Sequence, residues 1–341
     1  MMQFGLFGGA RTSRIGPQAD SSGYGDFIAY VKQAERLGFG HVFLVEHHFT
    51  GYGQLSASLT LLSYLAACTT RIRLGTAVTV LPWHNPVLLA EQVATLDLLS
   101  NGRFDFGVGK GYRDQEFSGF CIPMNEASER FDEAIEVIRK AWTSVGRFSH
   151  HGKHWHFDSI VVEPAPMQQP YPPFWLGAGS NASICRAARE GYNLLLDQIA
   201  SVDLTIERVG IFREECRRIG RPYHPMMVGV TRAFQLAYTT EERQQALLTR
   251  ARVLKTIGGL ASGAEATHRA AAFLTPESDD APLLGTPAEI VARLRVLEAG
   301  GIELVLLVDP NGSITSLQAF GAEIMPAFTN ARLGVGLTPL P

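Results

Sequence analysis

The most restrictive feature of this 341-residue chain is a change of hydrophobic period that recurs along nearly its whole length. Short apolar, β-branched runs alternate, about eight times, with segments whose apolar residues fall at helical spacing. Phe4–Phe7, His41–Glu46, Ile72–Leu81, Phe104–Val108, Phe174–Gly177, Asn193–Leu196, Met226–Phe234 and Glu303–Val308 read as strands. The helix after the first begins near Asp26, buries Phe27, Val31, Ala34 and Leu37, and stops at Gly38. Asn85-Pro86 opens another, with proline where its missing N–H costs nothing, and Thr286-Pro-Ala-Glu289 is a capping box. Strand-then-helix repetition demands a parallel sheet, and no composition break divides the chain near its middle. The expectation is an α/β fold: a single (β/α)8 TIM barrel over residues 1–330 with a C-terminal tail, 331–341. The histidine- and proline-rich stretch at 146–173 breaks the rhythm and reads as an exposed hairpin and arm.

Composition narrows the function. With 46% hydrophobic and 18% charged residues, the chain is neither disordered nor a coiled coil. A net charge of -3 without a basic stripe gives nucleic acid nothing to bind. The glycines and arginines of MMQFGLFGGARTSRIG do not suit a signal peptide, and no apolar run reaches the ~18 residues of a membrane span. Cys68, Cys121, Cys185 and Cys216 are widely spaced, which suits a reducing, cytoplasmic setting better than a zinc or disulfide framework.

In a barrel of this class the chemistry sits at the C-terminal ends of the strands. The second strand ends in Glu46-His47-His48, and adjacent strand residues face opposite sides, so one imidazole faces the pocket while the other packs behind it. The fourth ends in Gly107-Val-Gly-Lys110-Gly-Tyr112, which reads either as a tight turn or as backbone open to an anion with Lys110 as its charge. Gly177-Ala-Gly179-Ser180-Asn-Ala-Ser183 joins a strand to a helix and reads as an ordinary serine cap or a phosphate site. Asp309-Pro-Asn-Gly-Ser313 is a rival, disfavoured because Asp309 would repel an anion. The histidines at 150, 151, 154 and 156 lie away from strand ends and are read as a polar hairpin, not metal ligands.

Four collinear stretches resemble the bacterial luciferase-like family of flavin-dependent monooxygenases: HVFLVEHHFTGYG (41–53), residues 75–111, LLGTPAEI (283–290) and NGSITSLQAFGAEIMP (311–326). The resemblance implies a barrel that binds reduced FMN and uses O2, through a flavin peroxide, to oxygenate a small organic substrate. It places His47 as the catalytic residue near the reacting flavin. Lys110, Tyr112 and Arg130 fall at flavin-contacting positions, and Gly179, Ser180 and Ser183 in the phosphate loop. Ala77-Val78 falls at a non-prolyl cis peptide beneath the ring. Residues 256–281 correspond to a lid, and the family analogy suggests a homodimer. With no nicotinamide fingerprint in the chain, a separate flavin reductase is the expected partner. Lys110 stands where the luciferases have arginine, and Gly109 where they have a reactive cysteine, so light emission is not implied. A deazaflavin-dependent oxidoreductase on the same barrel and a non-catalytic flavin-binding protein are the alternatives.

Overall fold

A computed structural model describes residues 1–11, 21–51, 53–259, 280–309 and 312–329. The chain runs β1 (Gln3–Gly8), α1 (Ser22–Leu37), β2 (His41–Leu44), α2 (Ser58–Cys68), β3 (Arg73–Thr76), β4 (Thr79–Val80), α3 (Pro86–Leu99), β5 (Phe104–Gly109), α4 (Asp114–Gly119) and α5 (Ala127–Thr143). Hairpin strands β6 (Phe148–His151) and β7 (His156–Ile160) follow, then β8 (Phe174–Gly177), α6 (Asn181–Arg189), β9 (Asn193–Leu196) and α7 (Val202–Arg218). The remainder is β10 (Val228–Leu236), α8 (Thr240–Gly259), β11 (Leu283–Gly285), α9 (Pro287–Ala299), β12 (Leu304–Val308), α10 (Ile314–Ala319) and α11 (Pro326–Thr329).

Parallel pairing runs β1–β2–β3–β5–β8–β9–β10–β12 and returns from β12 to β1, closing the barrel that the alternation implies. Two apolar layers hold it. Inside, Phe43, Trp175, Leu195, Leu304 and Leu306 fill the bore, and the Phe43 and Trp175 rings meet edge to face at 5.2 Å. Gly75 makes the space, because a Cβ there would lie 2.4 Å from the Phe43 ring. Outside, a continuous core that includes Val42, Leu74, Phe106, Ile138 and Ile290 seals the helices onto the strands. Local chemistry starts those helices: the Asn85 side chain accepts from the Val87 and Leu88 N–H groups, and Thr286 and Glu289 form a reciprocal box. No helix among the described residues is long and apolar enough to cross a membrane.

Two expectations need correction. The strand expected over Ile72–Leu81 is two, β3 and β4, because the Ala77–Val78 peptide is cis and interrupts the ladder. The 146–173 insertion contains an antiparallel hairpin, but it is not a free arm: Glu133 of α5 accepts from the His154 and Trp155 backbone N–H groups and contacts the His150 ring at 3.2 Å. The His150 and His154 side chains are accordingly buried, since the acidic face of α5 supplies their partners. Residues 256–259 of the expected lid belong to α8; 260–279 and the 331–341 tail lie outside the described residues.

Candidate active site

The C-terminal ends of the barrel strands open into one cavity of about 1030 Å³. His47, just beyond β2, lines it. The turn that carries His47 is fastened from behind. Its backbone N–H donates to the Leu55 carbonyl at 2.9 Å, and its Nδ1 lies 3.1 Å from Glu116 Oε1 on α4. That same oxygen accepts the His48 backbone N–H at 2.9 Å, so it is the acceptor and Nδ1 carries the proton. Nε2 is then the unprotonated nitrogen of the neutral ring. Burial pushes the His47 pKa down, the Glu116 hydrogen bond opposes this, and the Arg113 charge adds to it; the result lies below the ordinary imidazole value.

His48, also beyond the end of β2, is not among the cavity-lining residues and pairs with Glu46 instead. Its Nε2 lies 3.1 Å from Glu46 Oε1, which also accepts from Trp83 Nε1 and pairs with His84 Nε2, both at 2.9 Å. Burial alone would raise the Glu46 pKa, but these partners outweigh it and hold the carboxyl at about 2. A buried carboxylate with this many donors anchors the end of β2, and so fixes where His47 stands.

Part of the cavity wall is built at the β8–α6 junction. Ser180 caps α6: its Oγ accepts the Ser183 N–H, and Ser183 Oγ receives the Ser180 N–H in return. With Ser183 capped in this way, the Asn181 and Ala182 N–H groups are the first-turn donors without an intrahelical acceptor, and with the helix dipole they suit an anion. Gly179, Ser180 and Ser183 line the cavity, as do Lys110 and Tyr112 at the end of β5. Lys110 Nζ lies 3.4 Å from Ser128 Oγ. At the rival loop, Asp309 accepts the Ser313 N–H and the Tyr30 hydroxyl, and Ser313 caps α10 as Ser180 caps α6.

Ala77 and Val78, joined by the cis peptide, also line the cavity. Beside them Gly109 leaves bare backbone; a Cβ there would lie 2.4 Å from Val78 Cγ2. Of the residues that the resemblance assigns to catalysis or flavin binding, Arg130 is the one not among the cavity-lining residues. It sits on α5 and pairs with Glu126 one turn earlier at 2.8 Å. Arg208, Arg113 and Glu116 are lining residues that the sequence reading missed. Arg208 comes from the middle of α7, pairs with Asp197 at 2.8 Å, and lies beside Gly179. Nothing local marks it, since an arginine on an amphipathic helix is ordinarily a solvent-facing residue. Glu116 lies on a six-residue helix, too short for periodicity to reveal which face is inward.

Comparison with known proteins adds a family to this geometry. Residues 2–304 match the family model described as luciferase-like monooxygenase. An uncharacterised protein of Sinorhizobium fredii is 33% identical over 180 residues, a match spanning 53% of this chain and 50% of that protein. The oxygenase component of a flavin-dependent trigonelline monooxygenase from Acinetobacter baylyi is 27% identical, with 97% of each chain covered. Among solved structures, the monooxygenase RslO1 from Streptomyces bottropensis superimposes with a TM-score of 0.81 at 26% identity, covering 95% of this chain and 99% of that one. An F420-dependent secondary alcohol dehydrogenase shares the fold at 17% identity, with a TM-score of 0.74 and coverage of 96% and 98%.

Proposed function

Since the chain belongs to the luciferase-like monooxygenase family, a family of oxidoreductase enzymes, we propose that it is an FMN-dependent oxygenase. It would take reduced FMN from a separate reductase and use O2 to oxygenate a small organic substrate. The observation that carries this reading is that Lys110, Ser180 and His47 line one and the same cavity. The relative named as an oxygenase component supports the division of labour with a reductase.

The lining fits the group. Exposed first-turn N–H groups of α6, the Ser180 and Ser183 hydroxyls and the Lys110 ammonium are suited to a phosphate monoester. Bare backbone at Gly109 and Gly177, next to the Ala77–Val78 peptide, lets a planar ring approach closely. Reduced FMN, when bound, supplies the electrons that activate oxygen. This chain supplies the rest. Ser180 and Lys110 would hold the phosphate, and Val78 would support the ring. Neutral His47, its tautomer set by Glu116, presents Nε2 to accept a proton from a reacting group and return it later. The apolar wall of half-buried Val45 and buried Leu55 and Phe131 would keep water from that nitrogen.

Anaerobic titration tests the reading. Reduced FMN should bind with one-to-one stoichiometry, and oxygen uptake should follow when a flavin reductase and NADH are added. Tighter binding of F420, with no oxygen uptake on FMN, would favour hydride transfer on a deazaflavin. Efficient NADH oxidation by this chain alone would remove the separate reductase.

A further inference from the structure

Arg113 is buried to within 2% of its surface, yet it lines the cavity beside the His47–Glu116 pair. Its Nε and Nη1 are both shut off from solvent and have no hydrogen-bond partner. Glu116 Oε1 lies 3.6 Å from Nη1, near enough to attract the charge but too far to accept its proton, and that oxygen already serves His48 and His47. The Tyr112 ring, with its centroid 5.4 Å from the guanidinium carbon, offers a π-face and no acceptor. A guanidinium stays charged at any pH a protein meets, and leaving its N–H groups undonated in a buried site costs free energy that an incoming acceptor would recover.

We propose that Arg113 is the receptor for a carboxylate of the substrate, which makes it a specificity-determining residue of this enzyme. The inference rests on reading the cavity as the flavin and substrate site, and it names the substrate class: a small organic acid whose carboxylate docks on Arg113 and whose apolar body lies along the wall. Because Arg113 stands against Glu116, docking the acid there places its body next to the His47 ring. The cofactor's phosphate has its own cations and helix terminus at Lys110 and α6, so the two anions of the ternary complex have separate partners.

Calorimetric titration separates the outcomes. Benzoate and hexanoate would be compared with benzamide and hexanamide, using wild type, Arg113→Met and Arg113→Lys, each with and without FMN. Wild type should bind the acids about tenfold to hundredfold more tightly than the amides. The preference should vanish in Arg113→Met and return in part in Arg113→Lys, with FMN affinity the same in all three. Equal binding of acids and amides by wild type would overturn the proposal, as would an acid preference that survives in Arg113→Met. Loss of FMN binding in Arg113→Met, with no acid preference in wild type, would assign the guanidinium to the cofactor instead. If Arg113→Met does not fold, the wild-type ratio and the Arg113→Lys ratio decide. Failure of wild type to take up any FMN would defeat the flavin reading itself, while the acid titrations without FMN still decide the role of Arg113.

Discussion

The Nδ1 atom of His47 lies 3.1 Å from Glu116 Oε1, across 69 residues of sequence. The carboxylate fixes the tautomer that leaves Nε2 without a proton on a ring that lines the cavity. Replacing His47 by alanine should lower turnover by about a hundredfold to ten-thousandfold, the usual share of a positioned acid or base, and leave FMN binding unchanged. The pH profile carries the sign. Burial keeps the His47 pKa below its ordinary value, so activity that needs the neutral ring should fall on the acid side, below about pH 6.5. The Glu116 hydrogen bond favours the protonated ring, so Glu116→Ala should move this acid limb to still lower pH while lowering kcat. An acid limb that moves upward in Glu116→Ala would contradict the assignment.

The proposed function puts phosphate recognition at the β8–α6 junction, apart from ring recognition. The variants Ser180→Ala and Lys110→Ala should each weaken FMN by about threefold to a hundredfold, the range for a lost hydrogen bond to a charged group. Riboflavin, which lacks the phosphate, should bind wild type and variants alike. Equal losses for both ligands by fluorescence titration would place the phosphate elsewhere.

Two glycines of β5 make contrasting predictions. A Cβ on Gly107 would lie 1.7 Å from the Thr76 carbonyl oxygen, which is backbone and cannot yield without parting the strands. Gly107→Ala should therefore cost more than about 3 kcal/mol, or abolish folding, as judged by urea denaturation. At Gly109 the obstacle is the Val78 side chain, which can rotate. Gly109→Ala should remain folded but bind FMN more weakly, because the shifted methyl group enters the space meant for the ring. Near-wild-type urea stability of Gly107→Ala would refute this packing account.

His41 at the start of β2 gives the fold a pH dependence of its own. Burial lowers its pKa to about 4; nearby Asp105 opposes the shift and Arg73 reinforces it. Since the unfolded ring takes up its proton near 6.5, the unfolded state binds more protons between those values, and stability should fall as pH drops through that window. The loss attributable to this ring is on the order of 3 kcal/mol. His41→Phe should flatten the slope between pH 6.5 and 4; an unchanged slope would assign it to other groups.

What could be read from the sequence was whatever local chemistry determines. The caps at Asn85 and Thr286 and the serine loop of α6 each involve residues within a turn of one another, and their side chains do in the fold what their spacing implies. One histidine lines the cavity and the other does not, as alternation suggested, but both lie beyond β2 and their places are set by Glu116 and Glu46. Partners far apart in the chain could not be read. Glu116 reaches His47 only because α4 folds over the end of β2, and Glu133 gathers the hairpin because β6 and β7 return across α5. Arg130, which similarity places at a flavin contact, pairs with Glu126 at the N-cap of α5, a local partner that its spacing allows.

The central claim is that one flavin spans the distance from α6 to His47. A crystal structure of the protein with FMN measures this directly. The account predicts phosphate density against Ser180, Ser183 and Lys110, with the isoalloxazine lying over Ala77–Val78 within contact of His47. Phosphate density at the Asp309–Ser313 loop, or a ring bound out of reach of His47, would contradict it.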